Sequence, residues 1–514
     1  MASFRWGARA LLAAAALVCV GLPAQAQKSA DTLRVVWWDQ IVNVNPYFNQ
    51  LRAGLIVAHH AFDGLVYRDP VGFVIKPALA TSWTYTDPTT IVFELRHGVK
   101  FQDGSAFSAD DVVYTINTVL ADKQVSVPSN YSWIANAEKL GDYKVAIHTK
   151  KVFPAAMEYF AMVLPIIPKA YREKVGSDGY DKLPLGAGPY KITRIDGVNQ
   201  IDMERFEGYY KDGPKGRPPI RKLVIHQVTD ATTAQNEIIG GKADWTWNII
   251  PDMVSKLGAL PFLKTEQAET MRVNYLNLDA AGRSLAGGPM TKLKVRQAIA
   301  YAIDRQSIAK NLMQGGSRVP PAPCFPTQFG CDAAAAVQYP YNPAKAKALL
   351  TEAGYPNGFD TEIVSYVLPQ FEGAVQNYLK AVGINARISH LQVQAVIQRS
   401  NEGKDPIDFG NWGSYSVNDV AAFLPQFYSG AQTEGFSVSD FAHDAQLRDL
   451  IIAAGTTTDK AVRLADYAAA IKRITEQSYM VPLFTSVGTY AYRKELNFKP
   501  WADEMPRYYL SSWK

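Results

Sequence analysis

The first twenty-six residues decide where this chain must fold, because they read as an address and not as structure. Arg5 and Arg9 give a positive start, Ala10 to Leu22 is an apolar run, and Ala24-Gln25-Ala26 is the small-x-small pattern that signal peptidase accepts. The mature chain is expected to begin near Gln27, with Cys19 discarded in the leader. The apolar run is shorter than the roughly 20 residues that span a bilayer, so export is expected without a retained anchor. What remains, roughly 490 residues, exceeds a single hydrophobic core and calls for two or three domains.

Export restricts the chemistry. Outside the cytoplasm no ATP or NAD pool supplies phosphoryl or hydride transfer. The composition, 47% hydrophobic and 20% charged, is that of a globular protein. Net charge is +5, less the two leader arginines, with no long basic run, so nucleic acid is not an expected partner. Of three cysteines, Cys324 and Cys331 stay in the mature chain, inside the Pro-rich stretch Val319 to Asp332. An oxidising compartment favours a local disulfide there over free thiols. Zinc would need two further nearby ligands, and the nearest histidine in sequence is His390.

Strand and helix signals alternate along the chain, which makes the class α/β. Leu33 to Trp38 is β-rich, a helix is expected from about Gln50 to Phe62, and Trp83 to Leu95 suggests a hairpin about Asp87-Pro88. Ser108 with Asp111 three residues on is an acidic capping box before the stripe Val112, Val113, Ile116, Val119 and Leu120. Gln235 to Ile239 looks helical and Ala243 to Trp247 like a strand. Val295 to Ile303 recurs at helical spacing, predicting a helix that runs to a stop near Gly315. Asn342, Pro343 and Gly354 bracket another helix.

Familiar catalytic and cofactor motifs fail on inspection. Gly186-Ala-Gly188 lacks the third glycine of a dinucleotide loop, and Gly240-Gly241-Lys242 has Asn236 and Ala243 where a P-loop needs Gly and Ser or Thr. Both read as turns. HExxH and GxSxG do not occur. His59 and His60 are adjacent on a predicted helix and so point in different directions, which favours structural roles. No metal or cofactor is expected.

Several blocks in order resemble the solute-binding proteins of peptide and nickel type ABC importers (family 5). They are Ala61-Phe-Asp-Gly-Leu-Val-Tyr67, Lys76-Pro-Ala-Leu-Ala-Thr-Ser-Trp83, Phe93-Glu-Leu-Arg-His-Gly-Val-Lys-Phe-Gln-Asp-Gly104 and Ser108-Ala-Asp-Asp-Val-Val-Tyr114. Pro184 to Lys191, Val295 to Asp304 and Tyr341 to Leu350 continue the match. The resemblance implies a type II periplasmic binding protein fold: two lobes and a hinge, closing on a peptide or other polar organic solute for delivery to a membrane permease. One lobe would combine 27–70, 186–277 and 487–514, an inserted domain would span 71–185, and the second lobe 278–486. A monomer that returns its ligand unchanged is implied, the alternative being a secreted hydrolase with a dispersed catalytic set.

The resemblance also places the pocket. Asp39 and Gln40 follow the first strand, Trp247 and Asn248 end a strand of the first lobe, and Asn130 and Tyr131 would add a contact from the inserted domain. Asn411, Trp412, Gly413, Ser414 and Tyr415 match the family's Trp-x-x-Asp-Tyr segment. In peptide binders of this type the acid three residues after the Trp holds the ligand's α-amino group. Here that position is Tyr415, which argues against a free-amine peptide, because an ammonium is costly to bury without a carboxylate. Asp419, a little farther on, is expected to order the loop.

Overall fold

The computed structural model describes residues 31–37, 43–48, 52–125, 130–197, 199–249, 251–313, 316–429 and 437–514. The leader, with the cleavage point near Gln27, and the candidate residues Asp39 and Gln40 lie outside them.

A ten-stranded mixed sheet organises the molecule. Its strands run, edge to edge, Ile384–His390, Phe359–Ser365, Ile407–Trp412, Leu263–Leu278, Met480–Arg493, Trp245–Trp247, Thr32–Trp37, Lys222–Gln227, Gln200–Arg205 and Tyr190–Asp196. The two long antiparallel strands, Leu263–Leu278 and Met480–Arg493, join its halves, with register shifts between Glu269 and Val273 and again between Asn274 and Tyr275. Such irregularities bend a strand and re-aim its side chains. Here they fall where residues of the candidate site begin.

Each half buries its own apolar groups. One core collects Leu33, Trp37, Phe62, Trp245 and Tyr508 and continues into Phe93 and Ile147 of a separate four-stranded sheet formed within 80–149. The other half is packed on one face by Leu276, Ile299, Phe409 and Phe484 and on the opposite face by Tyr275, Cys324, Phe423 and Ile471. The split follows from strand alternation, since Leu276 and Tyr275 point to opposite sides.

Local signals explain many of the elements. Ser108 caps Ala109–Ala121, and Asp111 in turn accepts the Ser108 N–H at 2.9 Å. Thr90–Leu95 pairs with Ala80–Asp87 in the expected hairpin. Asn342 accepts from the Lys345 N–H at the start of Pro343–Glu352. Gly188 is required by proximity: a Cβ there would sit 2.4 Å from the Phe62 nitrogen. One expectation needs correction. The segment from Val295 onward is two helices, Leu293–Ala302 and Arg305–Leu312, because Asp304 takes the Ser307 N–H and starts a new one. The periodicity of the first helix continues into Ile303 and hides the cap. The expected stop at Gly315 lies outside the described residues.

Cys324 and Cys331 are bonded, with Cα atoms 5.8 Å apart. His60 is fully buried, its Nδ1 on the Ile56 carbonyl and its Nε2 accepting from the Tyr508 N–H. His59 sits against the Met162 carbonyl. Among the described residues no helix is long and apolar enough to cross a membrane.

Candidate functional site

Strand Ile407–Trp412 carries the motif segment out of the sheet. Asn411 is held from both sides: the Tyr366 hydroxyl donates to its carbonyl at 2.7 Å and accepts from its N–H at 3.0 Å. Trp412 is half-buried, and its indole N–H donates to the Ala422 carbonyl at 3.0 Å. The chain then turns sharply, with Ser414 at φ 52° and Ser416 at φ 65°. Left-handed backbone at non-glycine residues persists only where the surroundings fix it, and it concentrates at functional sites.

What fixes the turn is a set of charges from distant parts of the chain. Arg52, at the start of helix Arg52–Ala61, donates to the Ser416 hydroxyl at 2.7 Å and to the Asp503 carbonyl at 3.1 Å. Its other terminal nitrogen reaches Glu504 at 3.0 Å. Arg272, just inside the bulge of Leu263–Leu278, donates to the Asn411 side chain at 3.0 Å and to Glu504 at 3.0 Å. Glu504 itself has a left-handed backbone, φ 55°. Below this layer Arg68 donates to the Ser416 carbonyl and pairs with Glu158 and Asp503, while Arg507 pairs with Asp503 at 2.7 Å. Glu158 also accepts the Asn418 N–H at 2.9 Å.

The charge balance is informative. Arg52, Arg68, Arg272 and Arg507 face Glu158, Asp503 and Glu504, which leaves one positive charge in surplus. Burial alone would raise the Glu504 carboxyl, but Arg272 and then Arg52 hold it below its ordinary value. Arg272 is the most exposed of these arginines, at 30% of its side-chain surface. A Cβ on Gly413 would lie 3.5 Å from Arg272 and 3.6 Å from Glu504, so the motif segment abuts the pair. A carboxylate does stand beside the motif, then, but with its charge already answered.

The other candidates occupy varied settings. Trp247 retains 4% exposure and packs with Trp37, Trp245 and Tyr490 at centroid distances of 6.2, 5.8 and 6.5 Å. Tyr490 is raised first by burial and then by Glu504 and Asp503, which puts this aromatic group next to the charge cluster. Asn248 is exposed with φ 52°. Asn130 and Tyr131 are buried at the other sheet: Asn130 accepts from Trp133, and the Tyr131 hydroxyl donates to the Val163 carbonyl at 2.9 Å. Ser414 is buried and its hydroxyl meets no hydrogen-bond partner. The Tyr415 side chain is outside the described ones. Asp419 caps Val420–Ala422 and gives both oxygens to Arg463, at 3.0 and 2.8 Å. It therefore orders the loop as expected.

Comparison with known proteins gives the class to which this fold belongs, the extracellular solute-binding proteins. Residues 74–435 match the model of bacterial extracellular solute-binding proteins, family 5, and the chain belongs to that family. It binds a solute on behalf of an ABC importer. The glutathione-binding protein GsiB of Shigella dysenteriae is 26% identical, over 93% of this chain and 94% of that protein. Among solved structures, a dipeptide-binding protein of Pseudoalteromonas in complex with Met-Leu has a TM-score of 0.77 at 22% identity, covering 94% of this chain and 100% of that one. MoaA of A. tumefaciens in complex with mannopinic acid has a TM-score of 0.75 at 22% identity, covering 94% and 99%. These structures share the fold of this chain.

Proposed function

We propose that this chain works in the periplasm, after cleavage near Gln27, as the monomeric receptor that hands a polar organic solute to its permease chemically unchanged. The solute is enclosed between a lobe built from 27–70, 186–277 and 487–514, bearing an inserted domain at 71–185, and a second lobe at 278–486. Closure buries the solute and gives the permease a shape to recognise. In this reading the solute contacts come from Asn411, Trp412, Gly413 and Ser414 in the second lobe and from Trp247 and Asn248 in the first, with Asn130 and Tyr131 contributed by the inserted domain.

The observation that carries the substrate reading is the saturation of Glu504 by Arg52 and Arg272. An α-ammonium brought to the Gly413 turn meets a net positive cluster in which, among the described residues, each carboxylate is already paired with arginine. A carboxylate or an amide carbonyl meets favourable donors. MoaA was solved with mannopinic acid, an acid, which is in keeping with that preference.

Mass spectrometry of small molecules released by denaturing the purified protein identifies the solute, and its recovery intact excludes hydrolysis. Paired ligands test the chemistry. N-acetyl-Met-Leu is expected to raise the melting temperature more than Met-Leu, since ligand at a hundred times its dissociation constant stabilises by about 2.7 kcal/mol. The reverse order would remove the substrate reading.

Two substitutions test the placement. Trp247→Ala and Trp412→Ala are each expected to weaken solute binding by about 1–3 kcal/mol, the range for a buried aromatic contact. Calorimetric titration with the identified solute measures it, and normal affinity in both variants would mean that the cleft lies elsewhere.

A further inference from the structure

The disulfide closes a short loop, with a sequence separation of 7, so it restricts little of the unfolded chain. Where the loop's hydrogen bonds go is more telling. The Phe329 N–H donates to the Asn418 carbonyl and the Phe329 carbonyl accepts the Val420 N–H, both at 3.0 Å, making a parallel bridge with Asp419. The buried Gln328 side chain donates to the Val417 carbonyl at 3.0 Å, and Thr327 donates to the Asn418 side chain at 3.2 Å. The partners are consecutive residues, 417 to 420, directly after the Ser414–Ser416 turn.

Packing fixes the same contact. Gly330, at φ 86°, lies so close to Tyr467 that a Cβ would fall 2.5 Å from its ring and 2.9 Å from Val420. The Arg463 guanidinium that pairs with Asp419 also covers the Phe329 ring at 4.5 Å. Cys324 is wholly buried in the cluster that holds Val420 and Phe423 and against which Trp412 packs. Yet the loop has no helix or strand of its own between Gly316 and Asn342. Its cross-link, tight turns such as the Cys331 N–H on the Gln328 carbonyl at 3.0 Å, and these contacts hold it in shape.

We propose that the Cys324–Cys331 disulfide is a positioning device for the solute-contacting segment: it rigidifies loop 325–330, which templates 417–420 and so holds Trp412 and the Ser414–Ser416 turn in binding geometry. That the segment meets solute rests on the reading given under Proposed function. The bracing itself does not.

Amide hydrogen exchange resolved by peptide tests it without any ligand. In Cys324→Ser/Cys331→Ser the amides of Ser416, Val417 and Val420 are expected to exchange at least tenfold faster, while those of Lys222–Gln227 in the far half of the sheet keep their rates. Gln328→Ala, which leaves the disulfide intact, is expected to accelerate the same amides to a smaller degree and serves if the double variant does not fold. Unchanged exchange at 416–420, or acceleration spread evenly over the protein, overturns the proposal. The binding arm uses N-acetyl-Met-Leu, which has neither a free α-amine nor a thiol to attack the disulfide, and the identified solute. Failure of the site reading has its own signature, normal binding of both by Trp412→Ala, and does not alter the exchange result.

Discussion

Replacing Asp503 by alanine is expected to cost about 3–5 kcal/mol of unfolding free energy. The carboxylate is wholly buried between Arg68, 2.9 Å away, and Arg507, 2.7 Å away, neither of which has more than 1% of its side chain exposed. A buried ion pair adds little net stability over an apolar substitute, but removing one partner leaves the others charged and dry. Arg68 would keep Glu158, whereas Arg507 would lose its only carboxylate among the described residues. Urea denaturation of the variant measures the loss.

The pH dependence has a definite sign. Burial would raise the Asp503 carboxyl, but Arg507 and then Arg68 hold it far below the ordinary carboxylate range. A depressed folded pKa contributes stability above the unfolded value, about 3.9, and that contribution fades as the pH falls below it. The alanine variant should accordingly lose less of its remaining stability than the wild type between pH 5 and pH 2. The deficit should also reach the pocket, because Arg52 and Arg68 hold Ser416 through this cluster.

How much of this was legible in sequence depends on chain distance. The capping box at Ser108, the helix after Asn342 and the hairpin before Leu95 are short-range chemistry, and the motif at Trp412 announced itself by resemblance. Asp444 and Asp459 are helix caps of the same kind, in front of Ala445–Gly455 and Lys460–Glu476, and were equally open to reading. The charge cluster was not. Arg52, Arg272 and Glu504 come from a helix start, a strand bulge and the C-terminal segment, and no spacing rule connects them. Their only local hint is the pair Asp503-Glu504 near Arg507, which resembles any solvated charge run. The long helix predicted from Val295 failed for the opposite reason: an apolar period carried through Ile303 outweighed one capping aspartate.

The second large effect concerns Asp408, one turn of the strand pattern deeper than the pocket. Burial first, and the charge of Asp405 second, push its carboxyl up to about 8. Its neighbour across the sheet is Asn277, whose side-chain nitrogen and oxygen are buried without hydrogen-bond partners, as is Asp408 Oδ1. The folded protein therefore keeps this acid protonated where the unfolded chain, at about 3.9, does not. The stability tied to that proton is full below about pH 4 and is lost as the pH rises towards 8. Asp408→Asn keeps the shape and removes the titration. Near pH 5 the variant should be more stable than the wild type by only about 1–2 kcal/mol, whereas near pH 9 the advantage should reach roughly 2–5 kcal/mol. Thermal melts of both proteins at matched pH values read the gap directly, and a gap that does not widen with pH means that Asp408 ionises like an exposed acid. Because the same strand carries Asn411 and Trp412, ionisation of Asp408 should also loosen their hold, so the variant's solute affinity is expected to outlast the wild type's above pH 8.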